Sequence, residues 1–228
     1  IQNNIKTAAV LTQLGDDYSS GLGTYFAQSF EKLGGKIVDQ QQFQTNQTDF
    51  KAVLTNIKAA DPEFIYAPSS LTTAPLIITQ ARELGIDAVL GAGDTWENST
   101  IIENAKGNAE GIVFSTFFDE SAPANEEAEK FIEGFKKYLV ENKQPDIIPN
   151  FSALSYDAYV CTLKAIEAAQ STDGEKIKEA LKGVEFDGIT GHISFDENGD
   201  ANKTLAFIKT VKDGKFELLT TTTVETGK

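Results

Sequence analysis

Between residues 6 and 118 short apolar runs alternate with amphipathic stretches, and this alternation restricts the fold more than any other feature of the chain. The runs at 7–13, 36–43, 63–68, 88–92 and 111–117 read as strands, and the stretches 19–33, 48–60, 72–84 and 99–106 repeat apolar residues at helical spacing. Parallel neighbours can only be joined by a crossover, so a β-α-β-α-β-α-β-α-β order predicts a mostly parallel sheet with helices on both faces and right-handed connections. The punctuation agrees. Ser20, Thr48 or Asp49, and Ser99 are placed to cap helix starts, while Gly34, Gly35, Gly85 and Gly107 follow the last turns as C-terminal caps do.

After Asp119 the pattern changes. Residues 126–142, 152–169 and 174–182 are helical, apolar at Phe131, Phe135 and Leu139 and at Leu154, Ala158, Cys161 and Ala165, with no strands between them. Residues 194–199 read as a turn after a short strand, and 204–219 as a hairpin about Asp213-Gly214. The run Thr220 to Thr223 reads as a fraying end. Helices without strands need a sheet to cover, supplied by another chain, a swapped copy or further sequence. The apolar stripes therefore predict a homodimer or domain swap through residues 119–204.

Composition excludes several functions. The 34 Asp and Glu against 20 Lys and Arg leave a charge of −14, which repels nucleic acid and anionic membranes. The single cysteine, Cys161, rules out an internal disulfide framework, and one histidine, His192, removes most metal and triad chemistry. Gly21-Leu22-Gly23 lacks the third glycine of a dinucleotide fingerprint, and there is no Walker phosphate loop. No apolar run is long enough to cross a bilayer, and residues 1–6 have neither region of a signal peptide, so the segment that would direct export is expected to be absent from this chain.

Ligands of open parallel sheets bind outside the carboxyl ends of the strands. Three such ends are polar here: Gly15-Asp16-Asp17-Tyr18-Ser19-Ser20-Gly21, Ser69-Ser70-Leu71-Thr72-Thr73 and Gly93-Asp94-Thr95-Trp96-Glu97-Asn98. All would open on one rim, where Tyr18, Ser69, Ser70, Asp94 and Trp96 can converge. A carboxylate such as Asp94 beside two aromatic rings suits a small cation such as an α-ammonium. In the alternative, Asp94 caps the next helix, Tyr18 packs at a loop edge and Trp96 belongs to the core.

At these loops the sequence resembles the type I periplasmic solute-binding proteins of ABC transporters, specifically the branched-chain amino acid (Leu/Ile/Val) binding group. Beside the first and third loops, the matching stretches are Thr48-Asp49-Phe50, Ile57-Lys58-Ala59-Ala60-Asp61-Pro62, Gln80-Ala81-Arg82-Glu83-Leu84-Gly85, Ser155-Tyr156-Asp157-Ala158 and Phe195-Asp196-Glu197-Asn198-Gly199-Asp200. The resemblance implies an α/β fold in which two lobes close over an amino acid and the chain crosses the hinge three times. Residues 5–118 with 205–219 would form the second, near-complete lobe, and 119–204 an incomplete first lobe whose own strands precede this start. It further implies that Tyr18 contacts ligand, Asp94 takes the α-ammonium, Trp96 lines the side-chain pocket and Ser69 or Ser70 adds a contact. The groups that hold the ligand carboxylate would lie on the preceding sequence, leaving about half a site and weak binding or none by the isolated chain. No enzyme activity, cofactor or metal is implied. The partners would be an amino acid and an ABC permease, in the periplasm or on a cell-surface lipoprotein. A ligand-sensing domain of a receptor or regulator uses the same architecture. An enzyme on a flavodoxin-like sheet is a third reading, which a bound cofactor or turnover dependent on Asp94 would support.

Overall fold

The computed structural model describes residues 4–223. In chain order its elements are β1 (Thr7–Gln13), α1 (Asp17–Lys32), β2 (Lys36–Phe43), α2 (Lys51–Ala59), β3 (Phe64–Tyr66), α3 (Ala74–Glu83), β4 (Val89–Ala92), a 3-10 turn (Asp94–Trp96), α4 (Ser99–Ala105) and β5 (Val113–Thr116). There follow α5 (Glu126–Glu141), α6 (Asn150–Ala169), α7 (Gly174–Leu181), β6 (Phe186–Gly188), β7 (Gly191–Phe195), β8 (Ala201–Lys203), β9 (Leu205–Lys212) and β10 (Lys215–Thr223). The chain divides into two compact units, Ile1–Ser115 with Lys209–Glu217, and Thr116–Ile208 with Leu218–Lys228. Residues 1–3, on which part of the leader reading rests, lie outside the described residues.

Seven strands form the sheet of the first unit, in the order β10-β9-β5-β4-β3-β1-β2, with β2, β1, β3, β4 and β5 parallel to one another. Positions Ala8 to Thr12 of β1 are all buried, as a strand covered on both faces requires. From β1 the chain steps outward through α1 to the edge strand β2, then returns past β1 and advances the other way through α2, α3 and α4. Right-handed crossovers therefore put α1 on one face and α2 to α4 on the other. The neighbours β1 and β3 send their chains to opposite faces, which makes the gap between their carboxyl ends the topological switch point.

On the α1 face Gly23 lies so close to β1 that a Cβ there would stand 2.4 Å from the Thr12 methyl. Phe26 stacks on Tyr66 with ring centroids 4.3 Å apart. Across the sheet, Phe43, Phe50, Leu54, Ile57, Ile77, Ile78 and Trp96 build the main core.

Helix starts fall a few residues from the expected caps. Asp16, not Ser20, caps α1 by accepting the Ser19 N–H, and Asn98, not Ser99, caps α4. Asp49 accepts from the Lys51 N–H at the start of α2. In α1 and α4 the capping oxygen belongs to the residue just before the first turn, where it reaches free amides that a serine already inside the helix cannot. Gly34, Gly85 and Gly107 do adopt positive φ just past α1, α3 and α4. Asp213 and Gly214, at φ 52° and 69°, make the type I′ turn expected of the terminal hairpin, and β10 runs on through Thr220 to Thr223 instead of fraying there.

In the second unit α5 packs through Phe131 onto Phe118 and Tyr156. A three-stranded antiparallel sheet, β6-β7-β8, occupies residues that the sequence resolved only as a short strand and turn. The buried stripe of α6 is Ala153, Asp157, Cys161 and Ala165, so Asp157 is inside and Ala158 outside, the reverse of the apolar pattern. The cause is a set of hydrogen bonds. The Asp157 carboxylate accepts from the Ile189 N–H (2.9 Å), the Thr190 N–H (2.8 Å) and the Thr190 hydroxyl (2.6 Å) at the β6–β7 turn. The opposite stripe of α6, with Phe151, Tyr159 and Leu163, is exposed.

Candidate functional site

Of the five residues expected at the strand-end rim, four are joined and one is not. Tyr18, in the first turn of α1, reaches past the end of β3 so that its hydroxyl donates to Asp94 Oδ1 at 2.8 Å and lies 3.3 Å from Thr95 Oγ1. Gly93 makes room for this approach, since a Cβ there would stand 2.7 Å from the Tyr18 oxygen and 3.1 Å from Leu22 Cδ1. Thr95 in turn donates to the Ser69 carbonyl at 2.9 Å, and the Trp96 indole N–H donates to Ser69 Oγ at 3.2 Å. Ser70 turns away to the Thr72 and Thr73 hydroxyls at the start of α3.

Burial separates the roles these groups can play. Tyr18 is 38% exposed and Asp94 half-buried, so neither is sealed in the core. Trp96 has no exposed surface and belongs to the core cluster, so its ring supports the turn from beneath, as the alternative reading had it. Glu97, the next residue, forms a buried ion pair with Lys209 on β9 that fixes the far end of the same turn.

The electrostatics are those of a neutral phenol beside a carboxylate. Burial, and then the Asp94 charge, push the Tyr18 pKa well above the usual tyrosine range, against the opposing hydrogen bond from Thr95. Burial and the same charge push Tyr66 up to about 12. Tyr66 and Thr95 are thus neighbours of the site that the sequence reading passed over. Their signal was weak, because a strand-end tyrosine and a turn threonine are common without function.

Among the described residues no group of three or more His, Cys, Asp or Glu is placed to hold a metal ion, and no helix is long and apolar enough to cross a membrane. His192 sits on β7 between Asp187 and Glu185, far from the rim loops in sequence, and pairs with both. Cys161 is buried in α6. A groove of about 510 Å³ beside α2 and α3, lined by Thr48, Lys51, Thr72, Gln80 and Lys106 among others, includes Thr72 of the second loop but none of Tyr18, Ser69, Ser70, Asp94 and Trp96.

The sequence pattern of the family described as periplasmic binding protein matches residues 2–215, nearly the whole chain. The chain belongs to that family. Periplasmic binding proteins are binding modules and not enzymes. The leucine-, isoleucine-, valine-, threonine- and alanine-binding protein of Pseudomonas aeruginosa is 30% identical over 197 residues, which are 86% of this chain and 50% of that one. A leucine binding protein from Thermotoga maritima superposes with a TM-score of 0.87 at 34% identity, over 97% of this chain and 61% of that one. A branched-chain amino acid transporter substrate binding protein from Streptococcus pneumoniae, solved with isoleucine, gives 0.78 at 28% identity, over 97% and 60%. The fold is the type I periplasmic-binding-protein fold, and this periplasmic binding protein chain spans about half the length of the curated relatives it matches.

Proposed function

We propose that this chain forms the ammonium-binding part of an extracytoplasmic solute-binding protein, which captures a branched-chain or similar amino acid between two lobes and delivers it to an ABC permease. The observation that carries the reading is the Tyr18–Asp94 hydrogen bond at the switch point. The Tyr18 hydroxyl engages Asp94 Oδ1 only, so the other carboxylate oxygen can accept a charge-assisted bond from an ammonium beside the phenol ring. Ser69 and Trp96 hold the Asp94 turn, and Ser70 is an exposed hydroxyl on the same strand-end loop. The first unit acts as the second lobe and the second unit contributes to the first.

These groups recognise the amino end of a ligand only. The test is therefore a comparison of ligands that differ at one end, read by fluorine NMR of the chain labelled with 3-fluorotyrosine, with Tyr18 assigned through Tyr18→Phe. Leucine and leucinamide should shift the Tyr18 resonance with Kd of about 1 mM or weaker, 4-methylpentanoate should not, and Asp94→Asn should abolish the response. An equal response to 4-methylpentanoate, or none to either amine, would refute the reading. Micromolar leucine binding by a pure monomer would refute its restriction to the amino end.

The exposed stripe of α6 supports self-association. From Phe151 through Ser155, Ala158, Tyr159 and Thr162 to Leu163 it carries no charged residue, although the chain's net charge is −14. Like-charged copies approach most easily through an uncharged face, so the occupant is a second copy of the chain. Native mass spectrometry should find a dimer that Tyr159→Glu dissociates; a monomer at micromolar concentration would remove the claim.

A further inference from the structure

Beyond Val10 and Tyr66 the parallel ladder between β1 and β3 stops, because the two chains leave for opposite faces of the sheet. Past that point the Gln13 N–H on β1 and the Pro68 carbonyl beyond β3 face a gap with no strand-to-strand bond to join them. Ser19 closes the gap. Its side chain, in a residue only 2% exposed, accepts from the Gln13 N–H at 2.8 Å and donates to the Pro68 carbonyl at 2.5 Å. Its own N–H is held by the Asp16 cap. A single hydroxyl therefore fastens the first turn of α1 to both strand ends at the switch point.

The fastening is part of a closed circuit. Pro68 leads directly into Ser69, whose carbonyl and hydroxyl accept from Thr95 and Trp96. The turn they anchor carries Asp94, which accepts from Tyr18, the neighbour of Ser19. The Thr95 and Trp96 bonds lie on the β3–β4 side, and two links cross to it from the first turn of α1, Tyr18 to Asp94 and, from behind, Ser19 to Pro68. We propose that Ser19 is a positioning residue for amino-group recognition, its buried hydroxyl setting where the Tyr18 hydroxyl stands relative to Asp94.

This rests on the amino-acid reading for its purpose but not for its test, which needs no ligand. In the 3-fluorotyrosine-labelled chain the Tyr18 resonance of Asp94→Asn marks the broken pair. Ser19→Ala should move that resonance most of the way toward the same position, and Ser19→Thr, which keeps the hydroxyl, should restore it. Ser20→Ala is the control. It removes another first-turn hydrogen bond, to the Asp16 carbonyl, without touching the switch point, and should leave Tyr18 unmoved. If Ser19→Ala does not fold, Ser19→Cys, a weaker donor, should give an intermediate shift. A Tyr18 resonance at the parent position in folded Ser19→Ala or Ser19→Cys would overturn the proposal, as would an equal shift in Ser20→Ala. Where leucinamide binds the parent, Ser19→Ala should weaken it about tenfold, the effect of about 1.4 kcal/mol. A Tyr18 that answers to Ser19→Ala but to neither amine keeps the positioning role and removes the ligand assignment.

Discussion

Replacing Asp157 should damage the second unit more than any surface change, and the cost can be worked from its partners. The carboxylate is 3% exposed and accepts three hydrogen bonds, two of them from backbone amides at Ile189 and Thr190. Asp157→Ala leaves those two buried N–H groups without an acceptor, at roughly 1–3 kcal/mol each. The Thr190 hydroxyl can rotate, and it also receives Lys203 Nζ, so its loss adds less. The expected loss is about 3 kcal/mol, a large share of the stability of a domain of this size. Asp157→Asn keeps one acceptor but turns an NH₂ toward a donor, and should cost somewhat less. Urea unfolding followed by far-UV circular dichroism gives the free energy, and amide hydrogen exchange at Ile189 and Thr190 locates it. A loss below about 1 kcal/mol, or parent-like protection of both amides in Asp157→Ala, would refute the reasoning. Gly188 offers an independent approach, because a Cβ there would stand 2.6 Å from both Asp157 oxygens.

Two further outcomes follow from the geometry. Gly93→Ala puts its methyl against the end of a side chain that can swing away, so unfolding free energy should change by less than about 1 kcal/mol while the Tyr18 fluorine resonance takes its Asp94→Asn position; a parent-like resonance would contradict the packing. On β7 the hydrogen bond to Asp187, helped by the charges of Asp187 and Glu185, holds His192 protonated above the usual histidine range. Its contribution is fully present below the unfolded value near 6.5 and is lost as pH rises through the higher folded value. Urea midpoints of the parent should therefore fall between pH 6 and 8 relative to His192→Gln, and parallel pH profiles would count against it.

The first unit was legible because each strand–helix step carries its own local signal: β1 and β2 end where the apolar runs end, and Gly34 and Gly85 stop their helices in the left-handed conformation. The second unit was less so. Hydropathy ranks Ala158 above Asp157, yet three donors from a turn more than thirty residues away draw the carboxylate inside, and no periodicity contains that partner. The site divides the same way. Tyr18 and Asp94 could be placed on one rim from topology, whereas whether Trp96 faced the ligand or the core depended on which side of a one-turn 3-10 segment the ring left. Ser19 stood in the first polar loop, but nothing set it apart from its neighbours, since a buried serine among polar residues looks like any helix start.

The boundaries between the two units fall inside β5, β9 and β10, between Ser115 and Thr116, Ile208 and Lys209, and Glu217 and Leu218. Neither unit is therefore a contiguous cassette. A gene fusion or recombination event that exchanged one of them for a relative's version would have to join three strands in register at once, and a single misplaced junction would turn every side chain beyond it to the wrong face. Such lineages should diversify by substitution within the rim loops far more readily than by shuffling of parts.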